Sequence, residues 1–410
     1  MTLLSRRAAI QVFLAFAFAY FFSALLRAVT ATLAPTLTSE FALSARDLGL
    51  LAGGYFIGFA ATQLPLGTWL DRHGPKKVII AFLSIAVLGC AAFSLAGSFA
   101  TLLAARVLCG VGVSACLMAP LTGFRRWLDP AAQLRANSWM LMTGSFGMLA
   151  STLPVQWLVP LAGWRPLFWG LAALIALSML VLAWKVPAWQ APAPATGSPA
   201  SYAEVWRNPY FQRMVPIGFF SYGGMLALQT LWAGPWMVRV AGYTPIESAQ
   251  GLFTINLSML LTFWSWGMVT PLLARRGLSA ERLIAWGLPW SLLVLAGIVW
   301  AGPAAGAPAL ALFCVTSTFV TLAQPAVGMA FPAALAGRAL SAYNLVVFLG
   351  VFTLQWGIGL LVDGFEALGW TQVAAFRGAF AMFLAFSVAS YAWFLLGNRD
   401  NPKAGQPVSS

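Results

Sequence analysis

Long, uninterrupted apolar runs separated by short polar breaks fill almost the whole chain. A helix needs about 20 mostly apolar residues to cross about 30 Å of hydrocarbon. By that measure the sequence predicts twelve spans: 9–36, 48–70, 77–98, 100–123, 136–160, 166–185, 211–236, 249–272, 280–301, 307–331, 341–363 and 374–396. The runs are continuous and rich in Leu, Ala and Phe, whereas barrel strands would alternate over about ten residues. The expected fold class is an all-α membrane protein with twelve transmembrane helices.

Residues 186–208, VPAWQAPAPATGSPASYAEVWRN, interrupt the pattern with the Pro, Ala, Ser and Gly of a linker. They divide the chain into an N-terminal six-helix bundle (1–185), a linker (186–210), a C-terminal six-helix bundle (211–396) and a tail (397–410). Short internal matches support two related halves. Arg135-Ala136-Asn137-Ser138 opens the fifth run as Arg338-Ala339-Leu340-Ser341 opens the eleventh, and Gly163-Trp164 precedes the sixth as Gly369-Trp370 precedes the twelfth. Duplicated bundles of this kind characterise secondary transporters, which hold substrate near midplane between the halves.

Composition narrows the class. Only 8% of the 410 residues are charged, against roughly 25% in a soluble domain. The net charge of +13 comes from 23 basic residues facing only 10 acidic ones. Lysines are few, so the excess reflects missing acids and does not point to nucleic acid. With the N-terminus inside, the short loops on that side collect 17 of the 23 basic residues, while Arg46, Arg165, Arg239 and Arg377 fall on the other side. Arg27 and Arg106 lie within spans. The positive-inside rule then predicts a multi-pass inner-membrane (plasma-membrane) protein with both termini cytoplasmic. The first run follows Arg6 and Arg7 like a secretory signal but lacks a clear cleavage site, and is read as an uncleaved span.

Cys90, Cys109, Cys116 and Cys314 sit in apolar runs, and His73 is the one histidine, so neither a disulfide framework nor a metal site is expected. No cofactor is expected. Without a nucleophile–base pair or a Gly-x-x-x-x-Gly-Lys-Ser/Thr loop, neither an enzyme nor ATP-driven transport is indicated. The expected partners are the lipid bilayer and a small-molecule substrate, with protons a candidate coupling ion and a monomer the expected state.

Between the second and third spans stands Gly67-Thr68-Trp69-Leu70-Asp71-Arg72-His73-Gly74-Pro75-Lys76-Lys77. It resembles the signature loop of the major facilitator superfamily, Gly-x-x-x-Asp-Arg-x-Gly-Arg followed by basic residues. Gly67, Asp71, Arg72, Gly74, Lys76 and Lys77 match, and Pro75 replaces an arginine. The resemblance implies two six-helix bundles and a conformational latch at these residues, in which Gly67 lets helices approach and Asp71 accepts from helix termini and basic partners. A second pattern of that superfamily is Arg106-x-x-x-Gly110-x-Gly112, three residues assigned a structural role because such glycines let helices pack closely. The equivalent loop of the second half keeps Arg275-Arg276-Gly277 but no aspartate.

All ten carboxylates fall in loops, in the tail or at span ends. Proton-coupled drug exporters of this superfamily usually carry an intramembrane acid, and their fifth-span Gly-Pro-x-x-Gly-Gly is replaced here by Gly144-Ser145-Phe146-Gly147-Met148-Leu149. The intramembrane charge to explain is Arg27, which shares a helix face with Tyr20, Ser23 and Thr30 and is expected to point somewhere wet. The stretch Arg27–Pro35 and the following Ser44-Ala45-Arg46-Asp47-Leu48-Gly49 resemble the first-span pattern of the organophosphate/phosphate antiporters and anion:cation symporters. That resemblance implies an arginine gripping a phosphate or carboxylate, a task suited to a planar five-donor fork. The competing reading makes Arg27 a structural cation bonded to carbonyls at a helix break near Pro35. The antiporters' second arginine, in the seventh span, is replaced by Gln229 within the stripe Tyr222, Gln229, Trp236, which favours a monocarboxylate over a phosphate ester.

Gln63, Gln229, Asn256, Gln324 and Asn344 complete the candidate substrate-binding set with Arg27 and Tyr20, although each amide also suits an interhelical hydrogen bond. Ser317, Thr321 and Gln324 share one face of the tenth span, and most of the many Trp and Phe residues are assigned to lipid or the membrane interface and to no site. The function expected is movement of a small organic anion by rocking-bundle alternating access. Export of a neutral or amphipathic compound is the alternative, and a transporter-like sensor is disfavoured by the short tail.

Overall fold

The structure, a computed structural model, describes residues 3–189 and 202–397. The tail from 398 on and the middle of the linker lie outside the described residues. Among the described residues, ten helices are long and apolar enough to cross a membrane, and two bent helix pairs complete twelve spans. They are α1 (Arg6–Phe41), α2 (Ala45–Ala61 with Gln63–His73), α3 (Pro75–Leu95), α4 (Phe99–Trp127), α5 (Pro130–Ala150 with Leu153–Ala162), α6 (Trp164–Lys185), α7 (Pro209–Arg239), α8 (Pro245–Arg275), α9 (Ala280–Ala301), α10 (Ala307–Ala330), α11 (Ala333–Ala367) and α12 (Gln372–Leu396). A short helix, Tyr202–Arg207, ends the linker, and α7 begins at Pro209. The even number of crossings brings the start of α1 and the end of α12 to one face, here the terminus face; the opposite one is the far face.

The bends have local causes. α2 turns by 46° and α5 by 42°. In each, a proline four residues on (Pro65, Pro154) removes the amide that the carbonyl of Ala61 or Ala150 would meet. At the α2 bend the side chains of Thr62 and Gln63 both donate to the Phe59 carbonyl, at 2.9 and 3.2 Å. α1, by contrast, runs unbroken through Pro35.

Close helix crossings rest on glycine. A methyl at Gly110 would overlap the Tyr55 carbonyl, and one at Gly112 would overlap the backbone of Ala86, so α4 wedges against α2 and α3. Gly110→Ala is expected to destabilise the protein by about 1–3 kcal/mol through overpacking, read as a lower melting temperature in detergent. An unchanged melting temperature would show that the crossing can relax.

The two halves meet where α1, α2 and α5 face α7, α8 and α11. Gly49 abuts the Gln355 carbonyl, Gly53 the Phe352 ring, Gly359 the Ala45 carbonyl and Gly234 the Ala31 carbonyl. At the far face, the Asp363 carboxylate on α11 accepts from the backbone N–H groups of Ala45 and Arg46, both at 3.0 Å. It thereby caps the α2 N-terminus across the seam, beside the capping box of Ser44 and Asp47. Within the first half, Glu40 at the end of α1 accepts from Trp164 Nε1 (2.6 Å) and from Arg165 (2.5 Å), tying α1 to α6.

Candidate functional site at the seam

Arg27 lies at the seam, half-buried, on the part of α1 that packs against α7. The face it shares with Tyr20, Ser23 and Thr30 meets packed protein and not water, because all three companions are buried. Ser23 turns toward α4, its hydroxyl donating to the Val113 carbonyl at 3.5 Å. Because α1 continues through Pro35, no helix break supplies carbonyls to Arg27, and its Nε has no hydrogen-bond partner among the described residues. Its guanidinium carbon stands 5.8 Å from the Phe59 ring centroid. Tyr20, Tyr55 and Tyr222 are its phenolic neighbours. Phe59 in turn meets Phe348 across the seam at 4.5 Å between centroids, and Phe56 stacks on Phe348 at 6.2 Å. The Arg27 guanidinium thus sits among hydroxyls and ring faces drawn from both halves.

The candidate amides divide into pairs. Gln229 Nε2 donates to Asn256 Oδ1 at 2.9 Å, and Asn256 donates back to its own helix at Leu252. Gln324 Nε2 donates to Asn344 Oδ1 at 2.6 Å. Gln63 closes onto the Phe59 carbonyl one turn away, a consequence of the α2 bend, and is not brought to Arg27 by any contact. The shared face of Ser317, Thr321 and Gln324 is altered by a 3₁₀ turn at Thr318–Leu322, where the Thr321 hydroxyl returns to the Thr318 carbonyl.

The stripe Tyr222, Gln229, Trp236 does not form one face. α7 contains two π-helical stretches, Ile217–Tyr222 and Leu228–Trp232, whose wider turns rotate later side chains off a 3.6-residue period. Trp236 consequently points into the second half, donating to the Ala305 carbonyl at 2.8 Å and stacking on Phe380 at 4.4 Å. Trp232 is equally buried and donates to the Gln355 carbonyl, so these two tryptophans are not lipid-facing.

Arg106 is almost fully buried, its Nη2 donating to the Arg27 carbonyl at 3.4 Å and its guanidinium lying 4.9 Å from the Tyr55 ring centroid. Two residues were not singled out from the sequence. Tyr55 touches both arginines, and Gln355, wholly buried on α11, donates to the Thr230 hydroxyl at 3.0 Å. A polar side chain within an apolar run was the available signal for each.

The loop Gly67–Lys77 lies at the terminus-face end of α2. Gly67 is exposed with open space around it, because the α2 bend turns it away from the bundle, so it does not mediate helix approach. The close-approach glycines of α2 are Gly49, Gly53 and Gly58. Asp71, Arg72 and Lys77 are exposed and Lys76 half-buried, and among the described residues no hydrogen bond or ion pair holds the Asp71 carboxylate. What the loop does hold is the start of the linker. Trp189 donates to the Asp71 carbonyl at 3.2 Å, packs on Gly74 (φ +81°) and lies 4.4 Å from the Arg126 guanidinium.

Comparison with known proteins places this geometry in context. The family model described as Major Facilitator Superfamily matches residues 16–354. The probable sulfoacetate transporter SauU of Cupriavidus necator is 31% identical over 169 residues, covering 40% of this chain and 37% of that protein. The gallate transporter of Pseudomonas putida is 30% identical over 162 residues (38% and 35% of the two chains). The multidrug resistance protein MdtL of Escherichia coli is 30% identical over 239 residues (56% and 59%). The chain therefore spans about a third to three-fifths of the length of these relatives. Among solved structures, a D-xylose–proton symporter superposes with a TM-score of 0.78 at 14% identity, covering 96% of this chain and 98% of that one. A bacterial homologue of the lysosomal transporter Spinster gives 0.75 at 18% identity, with 96% and 97% coverage.

Proposed function

The chain belongs to the Major Facilitator Superfamily, and from that premise we propose that its cargo is a small organic anion gripped by Arg27 at the seam. The observation that carries this reading is the placement of Arg27, a seam cation whose Nε has no acceptor among the described residues. Leaving such a donor unpaired in a water-poor site is costly, and a carboxylate or sulfonate supplies the acceptor the fold does not. The relatives include transporters named for sulfoacetate and for gallate, both organic anions. The terminus face carries most of the basic residues, which supports a cytoplasmic location for both termini in an inner membrane.

Alternating access then consists of one six-helix bundle rocking against the other about the α1/α7 and α2/α11 contacts. No carboxylate lies mid-span, so coupling rests on solute exchange or on a proton carried by the substrate itself. Export of an amphipathic compound is a second reading, supported by the ring pair Phe59–Phe348 and by the similarity to a multidrug resistance protein.

Counterflow in liposomes tests the assignment. With gallate, sulfoacetate, inorganic phosphate and uncharged sugars as trans-solutes, organic anions are expected to drive exchange and sugars are not. Exchange driven only by uncharged compounds would overturn it.

A further inference from the structure

Tyr55 lies in α2 with no exposed surface, at the point where α1, α2 and α4 cross. Its hydroxyl donates to the Ser23 carbonyl at 3.2 Å, which fixes the ring against α1, and the Arg27 side chain lies beside that hydroxyl. The Arg106 guanidinium covers its face at 4.9 Å. One tyrosine therefore contacts two cations, one at its edge and one on its face. Gly110 allows this, since any larger residue would collide with the Tyr55 backbone.

The two arginines differ in what they can offer. Arg27 is half-buried at the seam, whereas Arg106 is 1% exposed, yet its Nε and Nη1 have no hydrogen-bond partner among the described residues. What compensates Arg106 is one bond to the Arg27 carbonyl and the electron-rich Tyr55 face. Two full positive charges facing one ligand in a low-dielectric site would favour a dianion strongly over a monoanion.

We propose that Tyr55 is a positioning and specificity-determining residue that aims Arg27 at the seam and screens Arg106, so that the substrate meets one arginine instead of two. This rests on Arg27 being the anion contact. The hydroxyl and the ring have separable duties. The hydroxyl orients Arg27, and the ring shields Arg106.

Tyr55→Phe and Tyr55→Ala separate those duties in the full-length protein, with gallate and sulfoacetate as probes in liposomes. Phenylglyoxal labelling of arginines, read by peptide mass spectrometry, adds a measurement independent of transport. Y55F is expected to raise the half-saturating gallate concentration about tenfold, the scale of one hydrogen bond to a charged group, while Arg106 stays unlabelled. Y55A is expected to expose Arg106 to phenylglyoxal and to shift preference toward the dianion sulfoacetate by a similar factor. Arg106 remaining unlabelled in Y55A, with gallate-to-sulfoacetate preference unchanged, overturns the proposal. Arg27→Ala is the control. Retained anion transport there defeats the anion-site reading itself, whereas loss there with unaltered Tyr55 variants defeats only the role of Tyr55. Should Y55A fail to fold, Y55F decides through its effect on gallate saturation.

Discussion

Arg27→Ala is expected to reduce organic-anion counterflow by roughly two to three orders of magnitude while leaving a folded, membrane-inserted protein. A charge-assisted hydrogen bond contributes about 1.5–3 kcal/mol, and an arginine fork makes two of them to a carboxylate. Losing about 3–4 kcal/mol corresponds to a factor of 10²–10³. Folding should survive, because among the described residues Arg27 makes no ion pair, and its Nε bonds to no acceptor that its loss would orphan. Arg27→Lys is expected to fall between wild type and alanine, since the ammonium keeps the charge but loses the planar fork. Anion exchange unaltered in both variants would mean that the guanidinium is structural. The readout is initial counterflow rate against protein content of the liposomes, with melting temperature as the folding control.

The far-face contact gives the second large effect. Asp363 accepts two backbone amides at the first turn of α2, where the helix dipole favours a carboxylate. Among the described residues this is a bond between the halves that far-side opening must break. Asp363→Ala should weaken the closed far face by about 2 kcal/mol, and so raise the far-open fraction roughly thirtyfold relative to closed. Asp363→Asn, which keeps one acceptor oxygen, should give about half that free energy. Electron–electron distance measurements between spin labels at Leu161→Cys and Leu368→Cys report the change, both sites being exposed at the far face. The native cysteines Cys90, Cys109, Cys116 and Cys314 are buried and so are poor competitors for the label. A distance distribution unchanged by D363A would remove the contact from the gating cycle.

The fold was legible because membrane spans are recorded in the sequence as unbroken apolar length, which local breaks such as Pro65 and Pro154 bend without erasing. The site was legible only where charge made it so. Arg27 and Arg106 stand out against an apolar background, and both occupy the region where α1, α2 and α4 meet. What failed was facing. Gly67 belongs to the signature pattern yet touches nothing, since a bend three residues before Pro65 turns it outward. Trp236 follows the seventh-span stripe on paper, but the wide turn at Leu228–Trp232 takes it out of register and it packs on Phe380. The amides were recognised as polar, although composition alone does not reveal that Gln229 and Gln324 already have Asn256 and Asn344 as partners. Asp363 was placed at a span end, where nothing in its local sequence announced a partner 318 positions away.

The wide turns of α7 have a mechanical consequence. A π turn holds one more residue than an α turn, so it stores slack that can be passed along a helix without unwinding either end. α7 carries two such reservoirs on either side of Gly223 and Gly224, both closely packed against the second half. Migration of one bulge by a turn would rotate the intervening segment by about 100° and advance it by about 1.5 Å. The helix could therefore act as a screw, turning the segment Gly223–Ala227 while Gly234 stays bolted to Ala31 on α1.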